Sequence, residues 1–267
     1  MNKTLMNKTM TSSVLVAFGL LSASIQSEPA TAADWGGIKG RFVVDGAPPK
    51  VPPLVVTKDQ FCIDTMPVNK TVVVGEDGGL ANAVVFIRLP RRGTIESHPD
   101  FEAQLSEPAV LDNKGCSFEP HITLVRVGQP LVIKNSDPVG HNTNAKFFQN
   151  ASFNVLIAEG QESKVDLSKG EPMPMPVNCN IHPFMQGHIL VQDHPYMAAS
   201  AEDGTFEIEN IPVGEHEFQF WHEAPGNLRN LKLQGATANR QGRAKLKIAA
   251  GQTLDLGEIK VPASVLK

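Results

Sequence analysis

The chain has 267 residues and a formal net charge of −4, with 41% hydrophobic and 19% charged residues. Lysine and arginine are spread along the chain without forming a basic block. Proteins bind phosphate backbones through clustered Lys and Arg, so this distribution excludes nucleic acid as an expected partner.

The first 32 residues have the features of a secretory signal peptide. Lys3 and Lys8 precede the apolar run 14–21, and Ala30-Thr31-Ala32 matches a small-residue cleavage site. A membrane anchor is the alternative, but a spanning helix needs about 20 apolar residues and this run is shorter. Residues 1–32 are therefore predicted to be removed. The mature protein is expected to be periplasmic or otherwise exported, without stable membrane insertion.

Beyond this segment, short apolar and β-branched runs alternate with turn residues. Turn sequences such as Asp45-Gly46 and Asp203-Gly204 separate the runs. The pattern contains no convincing amphipathic helix, so it predicts an all-β protein of the sandwich type. The predicted strands are residues 37–44, 71–74, 83–89, 122–127, 131–135, 152–157, 165–167, 188–192, 205–209, 217–221, 244–248 and 254–261.

The clearest chemical signal lies between residues 177 and 185. Cys179, His182 and Met185 offer a thiolate, an imidazole and a thioether within one loop. Copper that alternates between Cu(I) and Cu(II) is bound by this mixture of soft and borderline donors. His141 follows a predicted strand and supplies a second imidazole. The four residues predict one copper site at the end of a sandwich.

The Cys-x2-His-x2-Met spacing of residues 179–185 resembles the ligand loop of the small blue copper proteins called cupredoxins. The motif Cys-x-x-His-Pro-Phe-Met is most similar to that of amicyanin. Asn135-Ser136-Asp137 leading to His141 is similar to the first-histidine loop of the same family. The resemblance covers about residues 110–193 and implies a Greek-key β-sandwich.

The resemblance also implies roles for individual residues. Asn142 would join the two ligand loops by hydrogen bonds, and Pro183 and Phe184 would give the copper an apolar rim. The whole chain resembles exported bacterial proteins described as methylamine-utilisation-like, and no role in amine metabolism follows from that label. The implied ligands of one type 1 copper are His141, Cys179 and His182 in the equatorial positions and Met185 in the axial position.

Other interpretations of the ligand residues stay open. Cysteine is often buried without any metal, so Cys179 and His182 are ordinary core residues in one alternative. Zinc is a weaker candidate, because structural zinc sites rarely include Met. The sequence has no Cys-x-x-Cys-His motif, which excludes a c-type haem.

The three cysteines give a further prediction. If Cys179 binds copper, Cys62 and Cys116 remain, and two leftover thiols in an oxidising compartment predict a disulfide. Two unpaired buried thiols, or another partner for Cys116, are the alternatives. A disulfide at Cys179 would exclude the copper site.

Residues 203–214 carry the pattern Asp-Gly-x-Phe-x-Ile-x-x-Ile-Pro-x-Gly. It resembles carboxypeptidase-regulatory-like modules, which are transthyretin-type β-sandwiches, and implies no carboxypeptidase activity. Such modules open with strands like 37–44 and 83–87, which precede the copper segment here. One sandwich split by an inserted cupredoxin is therefore the hypothesis. The predicted division is a signal peptide at 1–32, an N-terminal β segment at 33–95, a cupredoxin-like domain at 96–193 and a C-terminal β segment at 194–267.

Other potential donors lie near the copper segment. Met173 and Met175 alternate with prolines, which favours a stiff, polyproline-like approach to the ligand loop over additional thioethers for Cu(I). His121, His188 and His194 allow a second metal site, although ordinary polar or partly buried histidines are commoner.

The expected function is one-electron transfer with a redox protein partner. A protein that stores or delivers copper in the cell envelope is one alternative, and a β-sandwich module without metal is another. No enzymatic activity is predicted, because oxidase or reductase chemistry needs a further copper centre or an open substrate position.

Overall fold

The structure is a computed structural model that describes Met1 and residues 34–267, so the predicted signal peptide lies outside the described residues except for Met1. A short helix, α1, spans Gln60–Thr65, and 3-10 turns lie at Pro99–Phe101, Ala103–Leu105 and Ala263–Val265. The strands are β1 (Trp35–Asp45), β2 (Val84–Ile87), β3 (Ala109–Asn113), β4 (Phe118–Glu119), β5 (Ile122–Arg126), β6 (Leu131–Asn135), β7 (His141–Ala145), β8 (Phe153–Ile157), β9 (Glu162–Val165), β10 (Met175–Asn178), β11 (Gln186–Gln192), β12 (Met197–Ala199), β13 (Thr205–Pro212), β14 (Gly214–His222), β15 (Gly226–Asn227), β16 (Lys232–Leu233), β17 (Ala236–Thr237), β18 (Arg243–Ile248) and β19 (Thr253–Pro262).

Strands from both ends of the described chain build one sandwich, here called the outer sandwich. One sheet has the order β13-β1-β19, and the other has the order β12-β2-β14-β15 with β18 beside β14. Ile38 of β1 lies opposite Ile208 of β13, and Gly40 lies opposite Phe206. The strands near Ile38 and Phe206 therefore share a sheet, as the split-sandwich hypothesis requires.

A close backbone approach explains the glycines in this sandwich. Gly204 has φ +83°, and a Cβ on it would lie 2.1 Å from the carbonyl oxygen of Phe42. A Cβ on Gly79 would lie 2.0 Å from the carbonyl oxygen of Asp203. Only glycine fits at these two positions, because any side chain would overlap backbone atoms. The Asp203-Gly204 turn thus brings β13 against β1.

The middle of the chain builds the central sandwich from sheets β5-β11-β10-β7-β8 and β4-β3-β6-β9. β3 runs parallel to β6 and β5 parallel to β11, so the connections between these strands cross from one sheet to the other. Its core contains Leu111, Phe118, Leu131 and Ile133, all with 0% exposure. The all-β prediction is confirmed.

Several predicted elements differ from the observed ones. Residues 71–74 form no strand and contribute one isolated bridge, between Val74 and Leu80. The strand predicted at 165–167 lies earlier, at β9. β7 and β10 were missed because β7 reads His-Asn-Thr-Asn-Ala and β10 contains Pro176, which are poor strand signals. Helix α1 was also missed, since six residues give too short a pattern.

The two sandwiches pack through a small apolar cluster of their own. Val84 and Phe86 of β2 and Trp221 of β14 contact Ile122 of β5 and Leu190 of β11. All five side chains are buried. The contact places the end of β14 beside β5 and β11 of the central sandwich. Among the residues described, none of the helices has the length and apolar character needed to cross a membrane.

Candidate metal centre

Two neighbouring strand ends bring the predicted ligands together. His141 is the first residue of β7, and Cys179 directly follows the last residue of β10. These strands are antiparallel neighbours with Asn178 opposite Asn144, so the first residues of β7 lie beside the residues that follow β10. Residues 179–185 connect β10 to β11 and contain the other two predicted ligands.

Three of the four predicted donors converge on one point. Nδ1 of His141 lies 3.0 Å from Nδ1 of His182, and Sγ of Cys179 lies 3.8 Å from the same His182 nitrogen. All three residues have 0% exposure. Two ring nitrogens cannot direct lone pairs at each other across this distance, so either a hydrogen on one of them or a metal ion lies between them.

A carboxylate lies at hydrogen-bond distance from Nε2 of each imidazole, on the side of the ring away from Nδ1. Nε2 of His141 lies 2.9 Å from Oδ2 of Asp137, and Nε2 of His182 lies 2.6 Å from Oδ2 of Asp59. An Nε2–H that donates to a carboxylate fixes the ring orientation and leaves Nδ1 free as a ligand atom. Both rings are therefore oriented with their ligand nitrogens toward the same point.

Backbone amides surround the sulfur of Cys179. The N–H groups of Asn142 and His182 donate to Sγ, each at 3.4 Å. Burial raises the pKa of the Cys179 thiol, but hydrogen bonds from His141 and from these amides outweigh burial and hold the pKa below its usual value. The thiolate is the metal-binding form of cysteine, so the surroundings favour the ionisation that a metal site needs.

Asn142 links three elements around the site. Its Oδ1 accepts the N–H of Asn180 at 2.7 Å and that of Ile181 at 3.1 Å. Its Nδ2 donates to Oδ1 of Asn154 in β8 at 2.6 Å. These bonds join β7, the ligand loop and β8, and they hold the two ligand loops in a fixed relation.

Met185 closes the ligand loop from the core side. It is 1% exposed and packs in the same core cluster as Cys179. Its N–H donates to the carbonyl of His182 at 2.9 Å, and its carbonyl accepts the N–H of Cys179 at 3.2 Å. The half-buried ring of Phe184 lies 5.6 Å from the ring of His182, and Pro183 is exposed. Pro183 and Phe184 therefore form the solvent side of the loop.

The structure also contains the predicted disulfide, between Cys62 and Cys116, and Cys179 is a free, buried cysteine. Cys62 lies in α1, whose N-cap is Asp59. The disulfide thus fixes the segment that carries Asp59 against the central sandwich. On the other side of the bond, the N–H of Cys116 donates to Asp137 at 2.8 Å.

Asp59 and Asp137 were not predicted from the sequence to support the ligands. Asp137 stands four residues before His141, and this spacing was an available signal for a carboxylate behind the first imidazole. Asp59 is separated from His182 by 123 residues, and no pattern in the sequence connects them. Met175, whose role was open, is buried at the start of β10, whereas Met173 is 39% exposed.

No protein-family model matches the chain, and no curated protein matches it. Several solved copper proteins resemble part of it. The copper-containing nitrite reductase from Thermus scotoductus SA-01 is 23% identical over 32% of this chain and 22% of that chain, with a TM-score of 0.29. Amicyanin from Paracoccus versutus is 17% identical over 32% of this chain and 82% of its own, with a TM-score of 0.29.

A purple cupredoxin from Nitrosopumilus maritimus is 18% identical over 32% of this chain and 98% of its own, with a TM-score of 0.27. These scores describe a partial likeness of fold and carry no information on the metal. The residues fit copper, since a thiolate and two imidazole nitrogens meet in a buried pocket with a thioether residue in the adjoining core.

Replacing Asp59 with asparagine should weaken copper binding about 10- to 100-fold, because a carboxylate that accepts from a ligating imidazole raises its basicity and fixes its orientation. The removed negative charge should also raise the reduction potential, since it stabilises Cu(II) more than Cu(I). Competition against a chelator measures the affinity. The matched control is Asp64→Asn, an exposed carboxylate in α1. Equal affinities for the two variants would show that Asp59 does not support His182.

Metal uptake should release a proton from His141. Burial lowers the pKa of His141, but the hydrogen bonds to Asp137 and Cys179 outweigh burial and raise it from 6.5 to about 9. Copper binds the neutral ring, so its apparent affinity should rise up to about tenfold per pH unit between pH 7 and pH 9. Potentiometry in weak buffer measures the released proton. A pH-independent affinity would contradict this assignment.

The same pKa shift predicts the pH dependence of the metal-free protein. The folded-state pKa of His141 lies above the unfolded value of 6.5, so its contribution to stability is complete below pH 6.5. That contribution is lost as the pH rises toward about 9. Urea unfolding of metal-free protein at several pH values should show this decline. His141→Gln should remove this part of the pH dependence.

Proposed function

We propose that the chain is an exported one-electron carrier whose type 1 copper is held by His141, Cys179, His182 and Met185. The observation that carries the proposal is the convergence of two buried Nδ1 atoms, 3.0 Å apart, with the sulfur of Cys179. Bound copper would supply the chemistry, a single-electron change between Cu(I) and Cu(II). The protein's own residues supply a fixed geometry for both oxidation states.

The burial and hydrogen bonding of the ligands favour a carrier over a copper-delivery protein. A protein that hands on its metal needs ligands that a partner can reach, whereas His141, Cys179 and His182 are all fully buried. Asp137 and Asp59 hold the two rings, and two backbone amides hold the sulfur. A site held in this way resists rearrangement, which suits electron transfer because little reorganisation accompanies each step.

The solvent side of the ligand loop is the proposed docking surface for the redox partner. Pro183 is exposed there, and Phe184 contacts the ring of His182. Leu156 of β8 lies opposite Asn142 in the sheet and is 71% exposed. Exposed apolar side chains near a buried redox site suit a transient partner, because they permit close approach without buried charge.

Export and domain division belong to the same proposal. The disulfide fits an oxidising compartment, and with the predicted signal peptide it supports a periplasmic or otherwise exported protein. The cupredoxin-like domain is proposed to span residues 96–193, inserted between the segments 33–95 and 194–267 that supply the strands of the outer sandwich. Helix α1 of the first segment packs against the central sandwich. The shared sheet of β1, β13 and β19 supports this division.

Adding Cu(II) to the full metal-free chain tests the proposal. An intense absorption band at about 600 nm would arise from the copper–thiolate bond of a type 1 site. One copper per chain should remain bound after gel filtration. Reversible loss of the band on reduction would support electron transfer. A colourless protein that holds transferable Cu(I) would indicate a copper-delivery protein. Absence of copper binding would indicate a β-sandwich module without metal.

A further inference from the structure

A second cluster of metal-binding side chains lies where the two sandwiches meet. His121 precedes β5, His188 lies in β11, and Glu223 directly follows β14 of the outer sandwich. β5 and β11 are parallel neighbours with His188 opposite Ile122, and the N–H of His188 donates to the carbonyl of His121 at 2.9 Å. The central sandwich therefore contributes the two imidazoles and the outer sandwich contributes the carboxylate.

The donor atoms are close together and largely shielded from solvent. Nε2 of His121 lies 2.6 Å from Oε1 of Glu223, and Nδ1 of His188 lies 3.6 Å from Oε2 of the same carboxylate. One atom from each side chain falls within 4.8 Å of the other two. Tetrahedral bonds of about 2.0–2.2 Å place ligand atoms roughly 3–4 Å apart, so small side-chain movements would bring these donors to bonding distance.

The Nδ1 atom of His188 could bind a metal, because it makes no hydrogen bond with the described residues. Its Nδ1 is buried and has no hydrogen-bond partner among the described residues, and the distance to Glu223 is beyond hydrogen-bond range. Burial lowers the pKa of His188 to about 4, which keeps its ring neutral at pH 7. A neutral imidazole with a buried free nitrogen is the form that binds a metal.

The buried carboxylate of Glu223 would also be stabilised by a nearby positive charge. The side chains of His121 and Glu223 are only 6% and 7% exposed, and a carboxylate buried to this degree is costly without a cationic partner. The ring of Trp221 lies 5.0 Å from that of His188 and closes one side of the cluster. A bound cation would take up the lone pair of His188 and compensate the charge of Glu223.

From this geometry we infer that His121, His188 and Glu223 bind a divalent transition-metal ion of the zinc type, which links the two sandwiches. Two imidazoles and one carboxylate form a known zinc ligand set that leaves a fourth position for water. The ion would replace the proton between His121 and Glu223 and would also engage the free Nδ1 of His188. The site goes beyond the proposed electron transfer and does not depend on it.

Each histidine of the cluster borders a surface cavity. His188 lines a surface cavity with Gly187 and Pro176, and His121 lines another with Lys70 and Gln186.

The third histidine considered from the sequence, His194, is not part of the cluster. Its Nε2 lies 3.0 Å from the carbonyl oxygen of Ile87 in β2 and its Nδ1 accepts the N–H of Tyr196, so both nitrogens are engaged.

Zinc titration of the full chain, after one equivalent of copper has been added, tests the inference. Calorimetry should show one further zinc per chain, and zinc at about 100 times its dissociation constant should raise the Tm by about 5 °C. Glu223→Gln and His188→Ala should each weaken zinc binding at least tenfold and abolish the rise in Tm. The matched controls are Glu215→Gln, an exposed carboxylate, and His216→Ala, whose ring bonds the carbonyl of Pro212.

Glu223→Gln keeps the size of the side chain and an oxygen that accepts from His121, so a folded variant is expected. If zinc binding is absent, or is equal in wild type, Glu223→Gln and His188→Ala, the cluster is only an ion pair between the sandwiches and the inference is wrong. The same comparison in the Cys179→Ala background separates the two sites. In the Cys179→Ala protein, adding His188→Ala should still lower the zinc stoichiometry by one per chain. This result should not depend on whether the wild type binds copper in a type 1 site.

Discussion

Replacing Cys179 with serine should abolish the absorption band of the copper-loaded protein and weaken copper binding by more than about 100-fold. The band requires a sulfur-to-copper bond, and a hydroxyl is neither soft nor ionised at neutral pH. The loss should exceed the 10- to 100-fold effect of an outer partner such as Asp59, because a direct ligand is removed. Visible spectroscopy and chelator competition measure the two effects.

Serine at this position should preserve the fold, so that a loss of copper binding can be attributed to the missing sulfur. The amides of Asn142 and His182 that donate to Sγ would donate to the serine oxygen, so no amide loses its partner. The unfolding free energy of the metal-free variant should therefore stay close to that of the wild type. A serine variant that keeps the band would show that Cys179 is not the thiolate ligand, and the electron-carrier proposal would fail.

Removing the disulfide should have the largest effect on stability. The double variant Cys62→Ser/Cys116→Ser opens a covalent link between residues 54 positions apart. The loop-closure entropy for this separation corresponds to about 4 kcal/mol of unfolding free energy. Urea unfolding of the metal-free proteins measures the difference. A loss below about 1 kcal/mol would contradict the loop-closure explanation of its stabilising effect.

The same double variant should also weaken copper binding, because α1 would no longer be fixed next to His182. Asp59→Asn provides the matched comparison, since it removes the carboxylate charge but keeps the disulfide. If the disulfide acts on copper only by positioning Asp59, combining the three substitutions should weaken binding no further than the stronger of the two variants. Fully additive losses would assign the disulfide a separate effect on the site.

Local sequence patterns explain why several of the predicted donor residues lie close together. Cys179, His182 and Met185 lie in one loop, so their proximity follows from chain connectivity. The Asp203-Gly204 turn and the alternation in β13 have local causes, namely a positive φ at glycine and the two-residue period of a strand. The disulfide followed from cysteine parity and the expected compartment.

β7 and β10 could not be recognised from the sequence, although they position residues of the candidate metal centre. The polar residues of β7 are poor strand formers, but the side chain of Asn142 bonds the ligand loop and that of Asn144 bonds Asn180. Pro176 interrupts the pattern of β10. Sequences at a functional site often depart from local propensity, because contacts made in the folded chain compensate for it.

The sequence alone determined the all-β class, the chemical identity of the candidate donor atoms and the pairing of the two remaining cysteines. Only the tertiary structure decided which carboxylates face the imidazoles, since Asp59 and His182 are 123 residues apart. It also decided that Glu223 meets His121, 102 residues earlier in the chain. The physical reason is that hydrophobic periodicity specifies which face of a strand is buried, whereas contacts between distant strand ends depend on how the two sandwiches pack.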